Sequence, residues 1–348
     1  MTEAKKINLA LQGGGSHGAV TWGVVDRLLE DERVSIEGIS GASAGAVNAT
    51  ALAYGLYVGG RPAAREKLTE LWRRMSEAGG FYSPVKAGNS MLREMFGNVP
   101  LDYNPGYQFF DFMTRTFSPY QFNPFDINPL RDILLECIDF DELSRCTRTK
   151  LYLSATNVRS GKVHVFRTKD ACVNAVCASA CLPFLFKAVE IDGEAFWDGG
   201  YMGNPVLYPF FYEAESSDIL IVHVNPLERP DVPKTAPEIM NRINEISFNS
   251  SLLRELRAIS FVHKLLDDGW LKDERRDQLR SVRVHSVRSD LALVNLSVAS
   301  KFATDWSFLT DLRDRGRAIA EDWLAENFDA IGVRSSVNLR EMFDGDGG

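Results

Sequence analysis

The residues Gly41-Ala42-Ser43-Ala44-Gly45 contain a serine in a setting suited to nucleophilic catalysis. They match the pattern G-x-S-x-G, in which a serine hydroxyl projects from a sharp turn between a strand and a helix. Glycines at both ends permit the tight turn, and the backbone N–H groups at a helix amino terminus favour negative charge beside the serine. The pattern predicts that Ser43 is a nucleophile, although glycine-rich turns also arise for packing reasons alone.

A second glycine-rich turn lies about thirty residues earlier and matches the pattern G-x-G-x-x-G: Gly13, Gly14, Gly15, Ser16, His17 and Gly18. A dinucleotide-binding turn has this pattern, but it also needs an acidic residue at the end of the next strand. Glu37 has about the right spacing, yet it falls inside the predicted strand. The alternative is an oxyanion hole, because consecutive glycines bring backbone N–H groups close to a ligand. A dinucleotide-dependent oxidoreductase is therefore kept as a remote alternative.

A serine nucleophile needs a base, and two residues are candidates. Asp198 comes at the end of a predicted strand and is followed by Gly199 and Gly200 in a sharp turn, although an isolated Asp-Gly pair would be an ordinary turn. His285 is the candidate for a triad in the chain order serine, acid, histidine. A buried structural role is expected for the histidines inside an apolar strand and a helix, His223 and His263.

The elements that must position these residues alternate between strands and helices, which predicts an α/β fold. Strands are predicted over residues 7–12, 34–40, 151–157, 162–167, 189–191, 195–197 and 218–224. Helices are predicted over residues 18–30, 44–57, 61–77 and 172–180.

Two regions depart from this alternation. Residues 101–129 are predicted to be irregular, with nine aromatic residues from Tyr103 to Phe125 that either wedge a loop onto the core or form a lid or acyl channel. Beyond residue 226 the pattern is mainly helical, over 236–271 and 305–328, with one strand at 281–289. We therefore predict a catalytic domain over residues 1–226, with a mainly helical region over 227–348 packed on the same domain.

Composition excludes several classes of function. The 348 residues carry 39 basic and 47 acidic side chains, and the net charge of −8 excludes a nucleic-acid binder that neutralises phosphates. The same charge argues against electrostatic docking on an anionic membrane. Five cysteines without a C-x-x-C pair predict buried thiols in a reducing compartment and no metal site. We expect a cytoplasmic protein, with peripheral contact at the inner membrane face through apolar surface.

Together the motifs resemble the patatin-like phospholipase family. The resemblance covers residues 7 to 225 and includes the two glycine-rich turns, the Asp198-Gly199-Gly200 turn and a helix that leads into a proline at residues 178–184. It implies a three-layer α/β/α fold with a central, mostly parallel sheet. It also implies a Ser43–Asp198 dyad and an oxyanion hole built from the backbone of Gly14 and Gly15, with no metal or cofactor. Position 17 is usually basic in the family and is histidine here.

The resemblance implies a serine hydrolase that cleaves acyl esters of lipids, of the phospholipase A or lysophospholipase type, through an acyl-enzyme. An intracellular storage polyester is an alternative substrate. A non-catalytic lipid-binding module is a remote alternative. The sequence predicts no oligomeric state.

Overall fold

The computed structural model describes residues 4–82, 105–268, 270, 279–297 and 299–344. Within this part of the chain, eight strands form one sheet in the order β5-β6-β3-β2-β1-β7-β8, with β4 paired to β3. Strands β3, β2, β1, β7 and β8 are parallel, whereas β4, β5 and β6 are antiparallel to their neighbours. The strands are β1 Lys5–Leu11, β2 Val34–Gly41, β3 Lys150–Asn157, β4 Val163–Arg167, β5 Val189–Ile191, β6 Glu194–Asp198, β7 Asp218–Val222 and β8 Arg283–Val287.

Helices cover both faces of the sheet, because the central strands are apolar on both sides. In β1, Leu9 and Leu11 pack into one core layer while Ala10 packs into the other. The fold is therefore the predicted three-layer α/β/α arrangement with a mostly parallel sheet. The helices are α1 Gly18–Glu30, α2 Ala44–Tyr82, α3 Pro105–Thr116, α4 Pro119–Phe122, α5 Pro129–Cys137, α6 Phe140–Leu143, α7 Val173–Ser179, α8 Tyr208–Glu213, α9 Ala236–Asp267, α10 Trp306–Asn327 and α11 Leu339–Asp344.

The prediction of an irregular segment over residues 101–129 is wrong for the residues that the structure describes. Helices α3 and α4 lie there, and α5 begins at its end. Three of the four prolines in this segment stand at helix starts, where a missing N–H costs nothing because the first turn has no intrahelical acceptor for it. Pro119 and Pro129 both occupy such first-turn positions. Residues 101–104, with Tyr103, lie outside the described residues.

The two helices predicted over 44–57 and 61–77 both form, and a break in the backbone separates them within the range of α2. Its backbone is not helical at Gly59 and Gly60, where Gly60 has φ of 68°. This break coincides with the predicted boundary, because a residue with positive φ interrupts a helix and glycine adopts that conformation most readily.

The region beyond residue 226 extends the sheet and covers it. Strand β8 pairs with β7, and α10 packs on α1 at two glycines. A methyl group at Gly23 would lie 1.9 Å from the Arg313 carbonyl oxygen, and one at Gly316 would lie 2.1 Å from the Val20 carbonyl oxygen. Part of the helix predicted over 236–271 lies outside the described residues. The division of the chain at residue 226 stays a prediction.

None of the helices in the described part of the chain combines the length and the apolar character that crossing a membrane requires.

Candidate active site

Ser43 occupies a strained turn between β2 and α2. Its φ is 54°, a left-handed conformation that costs an ordinary residue about 1–2 kcal/mol. Both flanking positions require glycine because a side chain there would collide with the backbone. A methyl group at Gly41 would lie 2.4 Å from the Gly45 carbonyl oxygen. One at Gly45 would lie 2.1 Å from the Leu11 carbonyl oxygen. The turn therefore presents the serine from the carboxyl end of a central strand at the first turn of a helix.

The sheet register brings Asp198 to the same place. Strand β2 ends with Gly41 opposite Leu153 of β3. Two residues further along β3, Ala155 pairs with Asp198, the last residue of antiparallel β6. Strands β2 and β6 thus lie end to end along the same edge of β3. The residues that follow Gly41 therefore lie close to Asp198.

Asp198 is fully buried behind the serine. Its Oδ1 accepts a hydrogen bond of 2.7 Å from the Gly200 N–H, while Oδ2 has no hydrogen-bond partner among the described residues. Burial raises the pKa of Asp198 to about 7, against the lowering effects of the Gly200 N–H and the Ser43 hydroxyl. The hydroxyl thus lies close enough to affect the carboxyl without forming a well-aligned hydrogen bond.

The glycines after Asp198 allow close packing. A methyl group at Gly199 would lie 2.0 Å from the Ser154 carbonyl oxygen, and one at Gly200 would lie 2.3 Å from the Phe248 ring. The turn therefore has a structural reason for both glycines as well as a position beside Ser43.

The end of α7 and the residues that follow it hold both residues of the pair. The Ser43 N–H donates to the Ser179 carbonyl oxygen at 3.1 Å, and Ser179 Oγ lies 3.2 Å from the same nitrogen. The Asp198 N–H donates to the Cys181 carbonyl oxygen at 2.8 Å. The helix-and-proline motif at residues 178–184 thus fixes the backbone of Ser43 relative to that of Asp198.

The first glycine-rich turn packs directly against the serine. A methyl group at Gly13 would lie 2.5 Å from Ser43 Cβ, and Gly15 has φ of 60°. Two asparagines that the sequence analysis did not identify hold the turn. The Gly13 N–H donates to Asn204 Oδ1 at 2.7 Å, and Asn225 Nδ2 donates to the Gly13 carbonyl oxygen at 2.7 Å.

The remaining residues of this turn have distinct surroundings. Gly14 is buried against Val224, whereas Ser16 is at the wall of the adjoining cavity. A methyl group at Gly18 would lie 2.8 Å from Ala44 Cβ, so the turn also packs on the first residue of α2.

His17 is buried and uncharged. Its Nε2 lies 2.7 Å from Ser300 Oγ. Because the Ser300 hydroxyl donates its proton to the Ser297 carbonyl oxygen, we assign Nε2–H as the donor in this contact. Burial, and then the charge of Lys301, lower the pKa of His17 to about 3. The residue at the usually basic position therefore carries no charge at neutral pH.

A cavity of about 340 Å³ opens beside Ser43. Its wall is mostly apolar, and among the described residues that line it Lys301 has the one charged side chain. The polar or charged side chains at the wall belong to Ser16, Ser43, Asn123, Lys301 and Thr304. Apolar side chains form the remainder, among them Val47, Trp72, Met75, Phe110, Phe122, Ile127, Leu130, Leu182, Leu185, Phe186 and Phe302.

A family model for patatin-like phospholipases matches residues 9–210, more than half of the chain. The chain belongs to the patatin-like phospholipase family. The family is one of lipid acyl hydrolases, so this chain is a hydrolase of that class. The matched range contains both glycine-rich turns and the Asp198 turn, and it ends within α8.

A solved structure is also similar to this patatin-like chain. It is the crystal structure of VipD from Legionella pneumophila, which is 14% identical with a TM-score of 0.39. The match covers 93% of this chain and 67% of that one. No curated protein matches the sequence.

The described aromatic residues before α5 of this patatin-like protein divide between the cavity wall, contacts with the ring of Phe302 and the exposed surface. Phe110 and Phe122 line the cavity, while Phe125 is 85% exposed. Further exposed apolar residues in the same segment are Phe109, Phe112, Phe117, Tyr120 and Ile127.

The alternative site residues lie elsewhere. Glu37 accepts hydrogen bonds from the Glu215 and Ser216 N–H groups and pairs with Lys150, so its carboxylate is occupied by structural contacts. His285 Nε2 lies 2.9 Å from Oδ1 of Asp218, the first residue of β7, whereas Ser43 follows the opposite, carboxyl end of β2.

His223 is buried and its Nε2 contacts Ser286 Oγ, while the half-buried His263 contacts the Val282 carbonyl oxygen, so both make structural contacts. Within the described residues, no three His, Cys, Asp or Glu side chains come together as a metal site.

Proposed function

We propose that this patatin-like protein cleaves acyl esters of lipids through a Ser43–Asp198 dyad. The observation that carries the proposal is the position of Ser43, which lines an apolar cavity in a strained turn with the buried Asp198 carboxyl directly behind it. A backbone outlier at such a position supports a functional role, because strain of this kind persists mainly where function selects it.

The reaction begins with the ionised Asp198 carboxylate. It takes the proton of the Ser43 hydroxyl as Oγ attacks the ester carbonyl carbon, and the carbonyl oxygen becomes an oxyanion. The Gly14 and Gly15 N–H groups stabilise this oxyanion, and removing one such donor typically costs about 10²–10³ in rate. Asp198 then returns the proton to the departing alcohol, which leaves an acyl-enzyme.

Water completes the cycle by the same chemistry. Asp198 takes a proton from the water as its oxygen attacks the acyl carbon, and the second tetrahedral oxyanion meets the same backbone donors. Collapse of this intermediate returns the proton to Ser43 Oγ and releases the fatty acid.

The cavity wall supports a lipid substrate. Apolar side chains would surround an acyl chain, while the scissile ester would lie beside Ser43. Phospholipids and lysophospholipids are the proposed substrates, and storage polyesters are the alternative that a substrate survey would separate from them.

The exposed aromatic residues beside the cavity support contact with a lipid surface. Phe122 and Ile127 line the cavity and are also exposed, and Phe125 and Phe184 extend this apolar surface. Aromatic side chains bind membrane surfaces through apolar contact without requiring basic charge. We therefore propose peripheral contact through this face, in a reducing compartment that the five unpaired cysteines favour.

Covalent labelling tests the proposed nucleophile and base. A fluorophosphonate probe should modify Ser43, and Ser43→Ala should abolish both labelling and ester hydrolysis. Asp198→Asn should reduce turnover by at least about 10³-fold, since it removes the base. His285→Gln is the matched control and should retain most activity, because glutamine can keep a hydrogen bond to Asp218.

The proposal fails if Ser43→Ala retains wild-type esterase activity. A loss in His285→Gln without a loss in Asp198→Asn would instead restore the triad. Hydrolysis is measured across phospholipids, lysophospholipids, short aryl esters and polyester granules, with melting temperatures to verify folding.

A further inference from the structure

Lys301, from the carboxyl-terminal part of the chain, lies beside the first glycine-rich turn. It lines the cavity together with Gly15 and Ser43. Its backbone packs so closely on the turn that a methyl group at Gly15 would lie 2.6 Å from the Lys301 carbonyl oxygen and 3.3 Å from its Cβ. The residue is thus held next to the turn by main-chain contact, and its side chain does not have to reach in from a distance.

The Lys301 ammonium is linked to the turn through one asparagine. Lys301 Nζ donates to Asn225 Oδ1 at 3.2 Å, and Asn225 Nδ2 donates to the Gly13 carbonyl oxygen at 2.7 Å. The backbone of Asn225 is fixed as well, because its N–H donates to Gln12 Oε1 at 3.0 Å.

This linkage ends on a peptide group that belongs to the proposed oxyanion hole. The carbonyl of Gly13 and the N–H of Gly14 belong to the same peptide unit. A hydrogen bond accepted by that carbonyl polarises the unit and makes its N–H a stronger donor, because hydrogen bonds in a chain reinforce one another. A positive charge at the start of the chain increases this effect.

No acidic side chain neutralises the ammonium. In the described part of the chain, no carboxylate lies within ion-pair distance of Lys301 Nζ, and Glu245 is already paired with Arg229 and Arg242. Burial lowers the pKa of Lys301, whereas the charge of Glu245 favours the ammonium and opposes this effect. A cation without an ion-pair partner attracts the negative charge that develops on the oxyanion. The attraction is stronger in the transition state than in the ground state, so it accelerates the chemical step.

We propose that Lys301 is a positioning residue that strengthens the Gly14 N–H as an oxyanion donor through Asn225. It supplies from the carboxyl-terminal region the positive charge that the uncharged His17 does not supply. The proposal rests on the proposed hydrolase function, since without an acyl-transfer oxyanion there is nothing for the donor to stabilise.

The test compares Lys301→Met, which keeps the length and removes the charge, with Lys301→Arg, which keeps the charge. Lys301→Met should lower kcat for ester hydrolysis about 10–100-fold and leave KM within about twofold of wild type. Binding of an alkylboronic acid, which forms an anionic tetrahedral adduct on a serine, should weaken by the same factor. Lys301→Arg should stay within about fivefold of the wild-type kcat.

Lys264→Met is the matched control, because Lys264 lies exposed on α9. If Lys301→Met does not fold, Asn225→Asp tests the same linkage, since it removes the donor to Gly13 and keeps the side-chain size. It should lower kcat and weaken boronate binding together, as Lys301→Met does.

An unchanged kcat in the folded charge-removing variant overturns the proposal, as does a change confined to KM. The labelling of wild-type protein separates the two proposals. If the fluorophosphonate does not modify Ser43, the hydrolase function fails. If it does and kcat is insensitive to residues 301 and 225, the role of Lys301 fails.

Discussion

At the scale of single residues, Asp198 and Ser43 are both held in unfavourable states. Asp198 is a fully buried carboxyl with one hydrogen bond, to its Oδ1, and Ser43 has a left-handed backbone. The Asp198 pKa of about 7 reflects the cost of burying its charge. A base with a pKa near the working pH is well matched to moving a proton in both directions, as the proposed mechanism requires.

The raised pKa of Asp198 predicts opposite effects of pH on activity and stability. Only the carboxylate acts as a base, so kcat/KM should fall as pH decreases through about 7. Stability should change the other way, because the folded state holds this proton more tightly than the unfolded state, whose Asp pKa is about 3.9. The stabilising contribution of the protonated acid is present at low pH and is lost as pH rises from about 4 through 7.

Asp198→Asn removes this titration, so the free energy of unfolding of the variant relative to wild type should rise between pH 4 and pH 8, by up to about 4 kcal/mol. Urea unfolding at several pH values measures it. Asp322→Asn on the exposed face of α10 is the control, because that charge stays in water. A variant that gains no stability at pH 8 would contradict the buried charge.

At the scale of elements, the site depends on close approaches between backbones. The Ser43 turn packs on the end of β1, and the Asp198 turn packs on β3, at contacts where only glycine fits. Gly45 has the tightest of the contacts with β1, and Gly199 the tightest with β3.

Gly45→Ala should therefore displace the Ser43 turn, since its methyl group would lie 2.1 Å from the Leu11 carbonyl oxygen. We expect a loss of about 3 kcal/mol or more in the free energy of unfolding and at least a tenfold slower fluorophosphonate labelling. Gly161→Ala is the control, because Gly161 has φ of 66° and open space around it. It should cost about 1–2 kcal/mol and leave labelling unchanged. Equal labelling rates in the two variants would contradict the close approach.

The sequence predicted these elements where local physics decides them. Ser43 and its glycines could be recognised because a strand, a tight turn and a helix follow one another within a few residues. The segment before α5 was mispredicted because proline occurs in irregular segments and also at helix starts. Pro119 and Pro129 stand at helix starts. Lys301 could not be found at all, since its contact with the turn depends on the path of the chain over nearly three hundred residues.

Asn225 is an intermediate case. A polar residue shortly after an apolar parallel strand is a general mark of a site at the carboxyl edge of the sheet, so the sequence did contain evidence for it. Its partner at Gly13 becomes evident only when β7 is known to pair with β1.

At the scale of the whole molecule, the amino-terminal and carboxyl-terminal parts of the described chain pack against each other. Helix α10 lies on α1 with glycine contacts in both directions, at Gly23 and at Gly316. Strand β8 and the residues around Lys301 then complete the sheet edge and the cavity wall. The region after residue 226 therefore contributes directly to the proposed site.

Gly316→Ala tests this packing. Alanine is favoured over glycine in a helix by about 1 kcal/mol, so α10 alone would gain stability. We nevertheless expect the protein to lose about 2 kcal/mol, because the methyl group would lie 2.1 Å from the Val20 carbonyl oxygen of α1. Arg315→Ala, next to it on the exposed side, should change the free energy of unfolding by less than about 0.5 kcal/mol. A stabilised Gly316→Ala would show that the helices are not in close contact.

The contact between His17 and Ser300 has a consequence for the stage of synthesis at which the site can form. The two residues are separated by 283 positions, so at typical synthesis rates roughly 15–60 s pass between their appearance on the ribosome. Strand β1 likewise waits for β7 before it is flanked on both sides. The nascent chain therefore carries Ser43 long before Ser300 and Lys301, so the proposed site can be assembled only after the segment that follows β8 has emerged from the ribosome.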